Sequence, residues 1–136
     1  MLPEFEIAVR ILAALVLGAI IGFEREIDDE PAGIRTHMLV SVGAAAFTII
    51  SVTLSNDPAR IAAGIVTGIG FLGAGTIFKA HDRVKGLTTA AALWCAGAVG
   101  LACGMAYYFL AISITSTVFF IFVVKKLLKL NLWKKD

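Results

Sequence analysis

From Leu87 to Val124 the chain runs for 38 residues without a charged side chain. As one helix that stretch would be about 57 Å long, nearly twice the roughly 30 Å hydrocarbon core of a bilayer. It therefore folds back on itself. The break in its composition is Gly104-Met105-Ala106, and Tyr107 and Tyr108 beside it suit an interfacial turn, ring buried and hydroxyl wet. Spans are predicted at about 88–103 and 107–124.

The rest of the chain has the same character. Hydrophobic residues make up 59% and charged ones 16%, a balance that excludes a soluble domain and leaves only the number of crossings open. Further spans are predicted at about 5–23, 36–54 and 61–78. The first follows Glu4, Glu6 and a single Arg10 and has no small-residue cleavage site after it, so it is not a secretory signal. The expected architecture is all-α, one polytopic transmembrane domain over 1–136 with five transmembrane helices and a basic tail at 125–136. The third helix is glycine-rich and expected to be central. Gly64, Gly68 and Gly75 share one face at about 100° per residue and Gly70 and Gly73 the opposite one, which predicts neighbours on both sides. Ala14, Gly18 and Gly22 in the first span, and Ala92, Ala96, Gly100 and Gly104 in the fourth, form further close-packing seams. The fifth span, bulky and without glycine, is expected to face lipid.

Charge placement supports five crossings over four. With five, Arg25, Arg35, Lys79, Arg83, Lys85 and the five tail lysines share one side, while Arg10 and Arg60 lie on the other. The excess of basic residues marks the cytoplasmic side, so the N-terminus is expected outside and the C-terminus in the cytoplasm. The tail, lysines alternating with leucines around Trp133, suits a helix end at an anionic membrane surface.

No catalytic or metal-binding constellation stands out, and an enzyme, a bound cofactor, a metal centre or a nucleic-acid partner is not expected. GIGFLGAG has the composition of a phosphate-binding loop, but no strand precedes it and no Gly-Lys-Ser/Thr follows. Cys95 and Cys103, eight residues and about 12 Å apart on one helix, are too distant for a mutual disulfide and read as buried thiols. What remains are charges at membrane depth, which are costly and therefore candidates for function. Asp57 reads either as the cap of the third helix or as half of a polar pair with Arg60 lining a cavity. Glu24 and Arg25 follow the first span with no polar spacer. Together with Arg35 they face the basic loop 79–86, where His81 and Asp82 stand at a turn, and the start of the fourth span at Thr88 and Thr89. The two threonines read as helix caps or as hydroxyls offered to an anion. Glu6 and Arg10 are spaced to pair along the first helix, Thr36 to cap the second span, and His37 to hydrogen-bond at the interface.

The segments GFEREIDDEPAGIRTHMLVSVGAAAF (22–47), DPARIAAGIVTGIGFLGAGTIF (57–78) and VKGLTTAAALWCAGAVGLACG (84–104) together resemble the MgtC/SapB family of bacterial inner-membrane proteins. The strings AGIRTHMLV, GIGFLGAG and GLTTAA carry the likeness, in order and in register. The resemblance implies several membrane spans in the bacterial inner membrane and a link to survival under low magnesium or acid stress, in some members to virulence. It also implies a non-enzymatic role in which another membrane complex, such as the F-type ATP synthase, is restrained. The alternative it leaves open is a small carrier of magnesium, another divalent cation or protons. The family's charged and motif positions fall on Glu24, Arg25, Arg35, Asp57, Arg60, Thr88 and Thr89 and on the glycines of the third span. Many members carry a soluble C-terminal domain, so this chain resembles the short, membrane-only type. Seams not used within the chain suit a homodimer, another homo-oligomer or a foreign membrane partner besides the lipid bilayer itself.

Overall fold

The computed structural model describes residues 2–54, 57–80 and 83–133, with side chains for all of these except 58, 80 and 128–133. His81 and Asp82, and the side chains of the tail beyond Leu127, lie outside the described residues. Five helices follow one another: α1 (Glu4–Ile27), α2 (Ile34–Leu54), α3 (Pro58–Ala74), α4 (Leu87–Gly104) and α5 (Tyr108–Trp133). Four are long and apolar enough to cross a membrane; α3, with 17 residues, is shorter and equally apolar.

The central helix is α4. Ten of its 18 residues are buried, around most of its circumference, and it touches all four other helices. Its seam explains why. A Cβ on Gly104 would stand 2.6 Å from Thr48 Cβ and 2.8 Å from the Ala45 carbonyl, and one on Gly100 would collide with the Ser41 carbonyl. Glycine here lets the α4 and α2 backbones touch, which in lipid replaces the missing hydrophobic drive with dispersion contact. The α1 seam works in the same way, since Gly18 lies over His37 and Ser41, and Gly22 over Ile34.

The third helix is not central, which corrects the expectation built on its glycines. Among the described residues its main packing partners are α2 and α4. Gly73 meets Ala90, but Gly64, Gly68 and Gly70 have nothing within 4 Å of where a Cβ would be. The helix also ends sooner than expected, at Ala74 rather than 78. Phe78–Ala80 (β1) instead pairs antiparallel with Arg83–Lys85 (β2), so the expected basic loop is a small hairpin. Gly86, at φ +86°, turns the chain from this hairpin into α4, a conformation that L side chains adopt only under strain.

The predicted reversal after α4 is present. Ala106 is in the left-handed region at φ 60°. The Tyr107 N–H donates to the Ala102 carbonyl at 2.8 Å and the Ala106 N–H to Cys103 at 2.9 Å, the paired bonds that close a Schellman-type helix end. The returning α5 buries a single stripe, Ala111, Thr115, Val118 and Phe122, and exposes Phe109, Ile112, Phe120 and Ile121, as a lipid-facing helix should.

Candidate functional site

Among the described residues Arg25 is the largest fully buried side chain, at 0% exposure. It sits in the last turn of α1, where a cation also complements the helix dipole. Its Nε donates to Glu24 Oε2 at 2.7 Å and its Nη2 reaches the same oxygen. Asp28 and Glu30 each lie 3.3 Å from the guanidinium, and the Phe122 ring of α5 stacks 4.0 Å beneath it. One buried cation thus has three carboxylates and one aromatic face. This satisfies most of its donors where an unpaired charge would be prohibitive.

The local chain explains how the acids get there. Asp29, at φ 53°, ends α1 with the same pair of bonds seen after α4: the Glu30 N–H donates to the Arg25 carbonyl and the Asp29 N–H to Glu26. That turn swings Glu30 back over Arg25. The other oxygen of Glu30 accepts the Thr89 hydroxyl at 2.9 Å, which ties α4 into the cluster. Glu26 Oε2 accepts the Ile34 N–H at 2.9 Å and caps α2 from the end of α1. Arg25 and its acids therefore pin α1, α4 and α5 together at one end, and the neighbouring Glu26 adds α2.

His37 lies beside this cluster, fully buried where an interfacial position was expected. Its Nδ1 bonds the Gly33 carbonyl at 2.9 Å, while Nε2, and Ser41 Oγ one turn further on, are buried without a hydrogen-bond partner among the described residues. Both lie where α1 and α4 press glycine onto α2, since Gly18 and Gly100 each leave no space for a Cβ against Ser41. At the opposite end Arg10 donates to the Gly104 carbonyl at 2.6 Å and pairs with Glu6 as expected, fastening α1 to the end of α4.

Of the predicted residues, the fold brings Glu24, Arg25 and Thr89 together. Thr88 is exposed and apart. Neither threonine caps α4, because the cap position is Gly86 and carries no side-chain bond, and Thr89 is already inside the first turn. Thr36 likewise lies inside α2 and does not cap it. Arg35 is exposed and lines an adjoining polar cleft of about 200 Å³ with Glu26, Asp29 and Glu30, the last shared with the cluster. Asp57 occupies the cap position of α3 without a side-chain cap bond. Arg60 lines a larger cavity of about 830 Å³ between α2 and α3, so of the pair proposed for a cavity one member is in place. Asp28 and Glu30 belong to the cluster although the sequence singled out neither. Their spacing of three and five from Arg25 was the available signal, and the left-handed turn that uses it was not visible. Phe122, 97 positions away, left no signal at all.

A family model described as "MgtC family" matches residues 11–130. The chain is 53% identical over 104 residues to "Protein MgtC" of Brucella abortus, covering 75% of this chain and 44% of that protein. It is 49% identical over 112 residues to "Protein MgtC" of Salmonella typhimurium, covering 82% and 48%. The chain thus spans less than half the length of these relatives. No solved structure matches significantly.

Proposed function

This chain belongs to the MgtC family, and on that premise we propose that it is a non-enzymatic regulator of the bacterial inner membrane, serving adaptation to low magnesium or acid stress and, in a pathogen, virulence. It acts by docking a helix face against another membrane complex, with the F-type ATP synthase the candidate partner. The observation that carries this reading is the outer side of α3. Ala63, Thr67, Gly70 and Ala74 follow one another at spacings of four, three and four, all exposed, and Gly70 has nothing within 4 Å. A flat, small-residue stripe is what a transmembrane helix packs against, and this one is not used within the chain.

The seams of α1 and α4 support regulation over transport of magnesium or protons. Their backbone contacts press glycine closely onto α2 beside His37 and Ser41, as a packing seam does. The charge balance supports an outside N-terminus and a cytoplasmic C-terminus.

The test compares ATP-driven proton pumping in inverted vesicles from cells with and without the protein. Reduced pumping, relieved by Gly70→Leu at equal protein level, is the expected result. Unchanged pumping, with no complex recovered in mild detergent, removes the reading. Divalent flux in liposomes holding only this protein would install the carrier in its place.

A further inference from the structure

The cavity between α2 and α3 has one charged lining residue, Arg60, and is otherwise apolar. Three glycines give it depth: Gly43 on one wall and Gly64 and Gly68 on the other have nothing within 4 Å of a Cβ. Its rims, Leu39, Phe47 and Leu72, are more than half exposed, so the groove is continuous with the lipid-facing surface. Its centre lies about 150° around α3 from the Ala63–Ala74 stripe, with Arg60 on the edge nearer the stripe, about 50° away.

Two observations say what fills it. From Arg60 to Leu72 the groove follows α3 for about 18 Å, close to the half-thickness of about 15 Å that one leaflet contributes to the core. Second, Arg60 stands in the first turn of α3, at the mouth of the groove, as the one charged side chain in its lining. A guanidinium at an apolar slot matches a phosphate on a hydrocarbon chain, because its planar donors bind two phosphate oxygens at once.

We propose that this groove binds one anionic phospholipid of the surrounding leaflet, its acyl chain along Gly64 and Gly68 and its phosphodiester on Arg60. The site is a built feature of the fold and independent of any protein partner on the outer stripe.

The full chain, purified in mild detergent and returned to nanodiscs of phosphatidylglycerol or phosphatidylcholine, is analysed by native mass spectrometry for retained lipid. Retention of phosphatidylglycerol about five-fold above phosphatidylcholine is expected, the selectivity of one basic residue near the surface. Arg60→Gln abolishes the preference, and Arg60→Lys weakens it, because an ammonium keeps the charge and loses the paired donors. Gly68→Leu fills the slot and expels lipid of either headgroup while circular dichroism stays unchanged. Equal retention of the two lipids by the wild-type protein overturns the proposal. So does undiminished retention by a folded Gly68→Leu protein, or a dimer that buries Arg60 in place of lipid.

Discussion

The Thr89 hydroxyl donates to Glu30 Oε2 at 2.9 Å across 59 positions of chain. Through Glu30 it hangs the start of α4 on the guanidinium of Arg25, which has no surface of its own. Thr89→Val keeps the shape and removes the donor, leaving one oxygen of a half-buried carboxylate unpaired. A loss of about 1–3 kcal/mol is expected in thermal or denaturant unfolding in detergent, with Thr89→Ser close to wild type.

Arg25 itself is the costliest single side chain to remove. Arg25→Met leaves Glu24 buried opposite an apolar group, and a loss of about 3–5 kcal/mol is expected. The double variant Arg25→Met, Glu24→Leu should recover much of that, because neither charge then needs a partner. A double-mutant cycle on unfolding midpoints measures the coupling.

Two glycines should respond in opposite ways to the same methyl group. Gly100→Ala drives a Cβ into the Ser41 carbonyl and forces α2 from α4, at a cost of about 1–3 kcal/mol. Gly64→Ala meets nothing within 4 Å and should be neutral or stabilising by up to about 1 kcal/mol through helix propensity. Unfolding curves of both variants decide it.

Ala106 holds a left-handed conformation at the α4–α5 reversal, where glycine is the usual residue. Ala106→Gly removes the steric penalty of its Cβ and should stabilise the hairpin by about 1 kcal/mol. The readout is slower unfolding with unchanged helix content.

The same reversal sets the topology. Arg25, Thr89 and Phe122 meet at one end and Arg10 and Gly104 at the other, so α5 returns to the end where α1 finishes. A tag after Asp136 should react with an impermeant label only in permeabilised cells, and one in the turn at Tyr107 should react in intact cells.

How much was legible in advance differs by element. The α4–α5 hairpin follows from length alone, because 38 uncharged residues cannot cross one bilayer once. The seam Ala92, Ala96, Gly100 and Gly104 was readable because small residues at four-residue spacing have one use in a close-packed bundle. The same reasoning misplaced α3. Its glycines signal that a backbone surface is open to approach, and whether this chain or something else approaches it is not a local property. The cap roles of Thr36, Thr88 and Thr89 failed for a similar reason. Glu26 and Gly86 take the first turns of α2 and α4, one reaching back from α1 and the other serving the turn out of the hairpin.

Taken by itself, the order of residues determines that this protein lies in a membrane, how many helices it forms and where charge is held at depth. Hydropathy, helix period and charge count act along the chain, so they can be read along it. Only the tertiary structure decided which helix stands at the centre, that Arg25 is wholly enclosed by Glu24, Asp28, Glu30 and Phe122, and that the glycine face of α3 stays open. Those outcomes depend on which surfaces meet across tens of residues, and packing between distant segments leaves no periodic mark in either one.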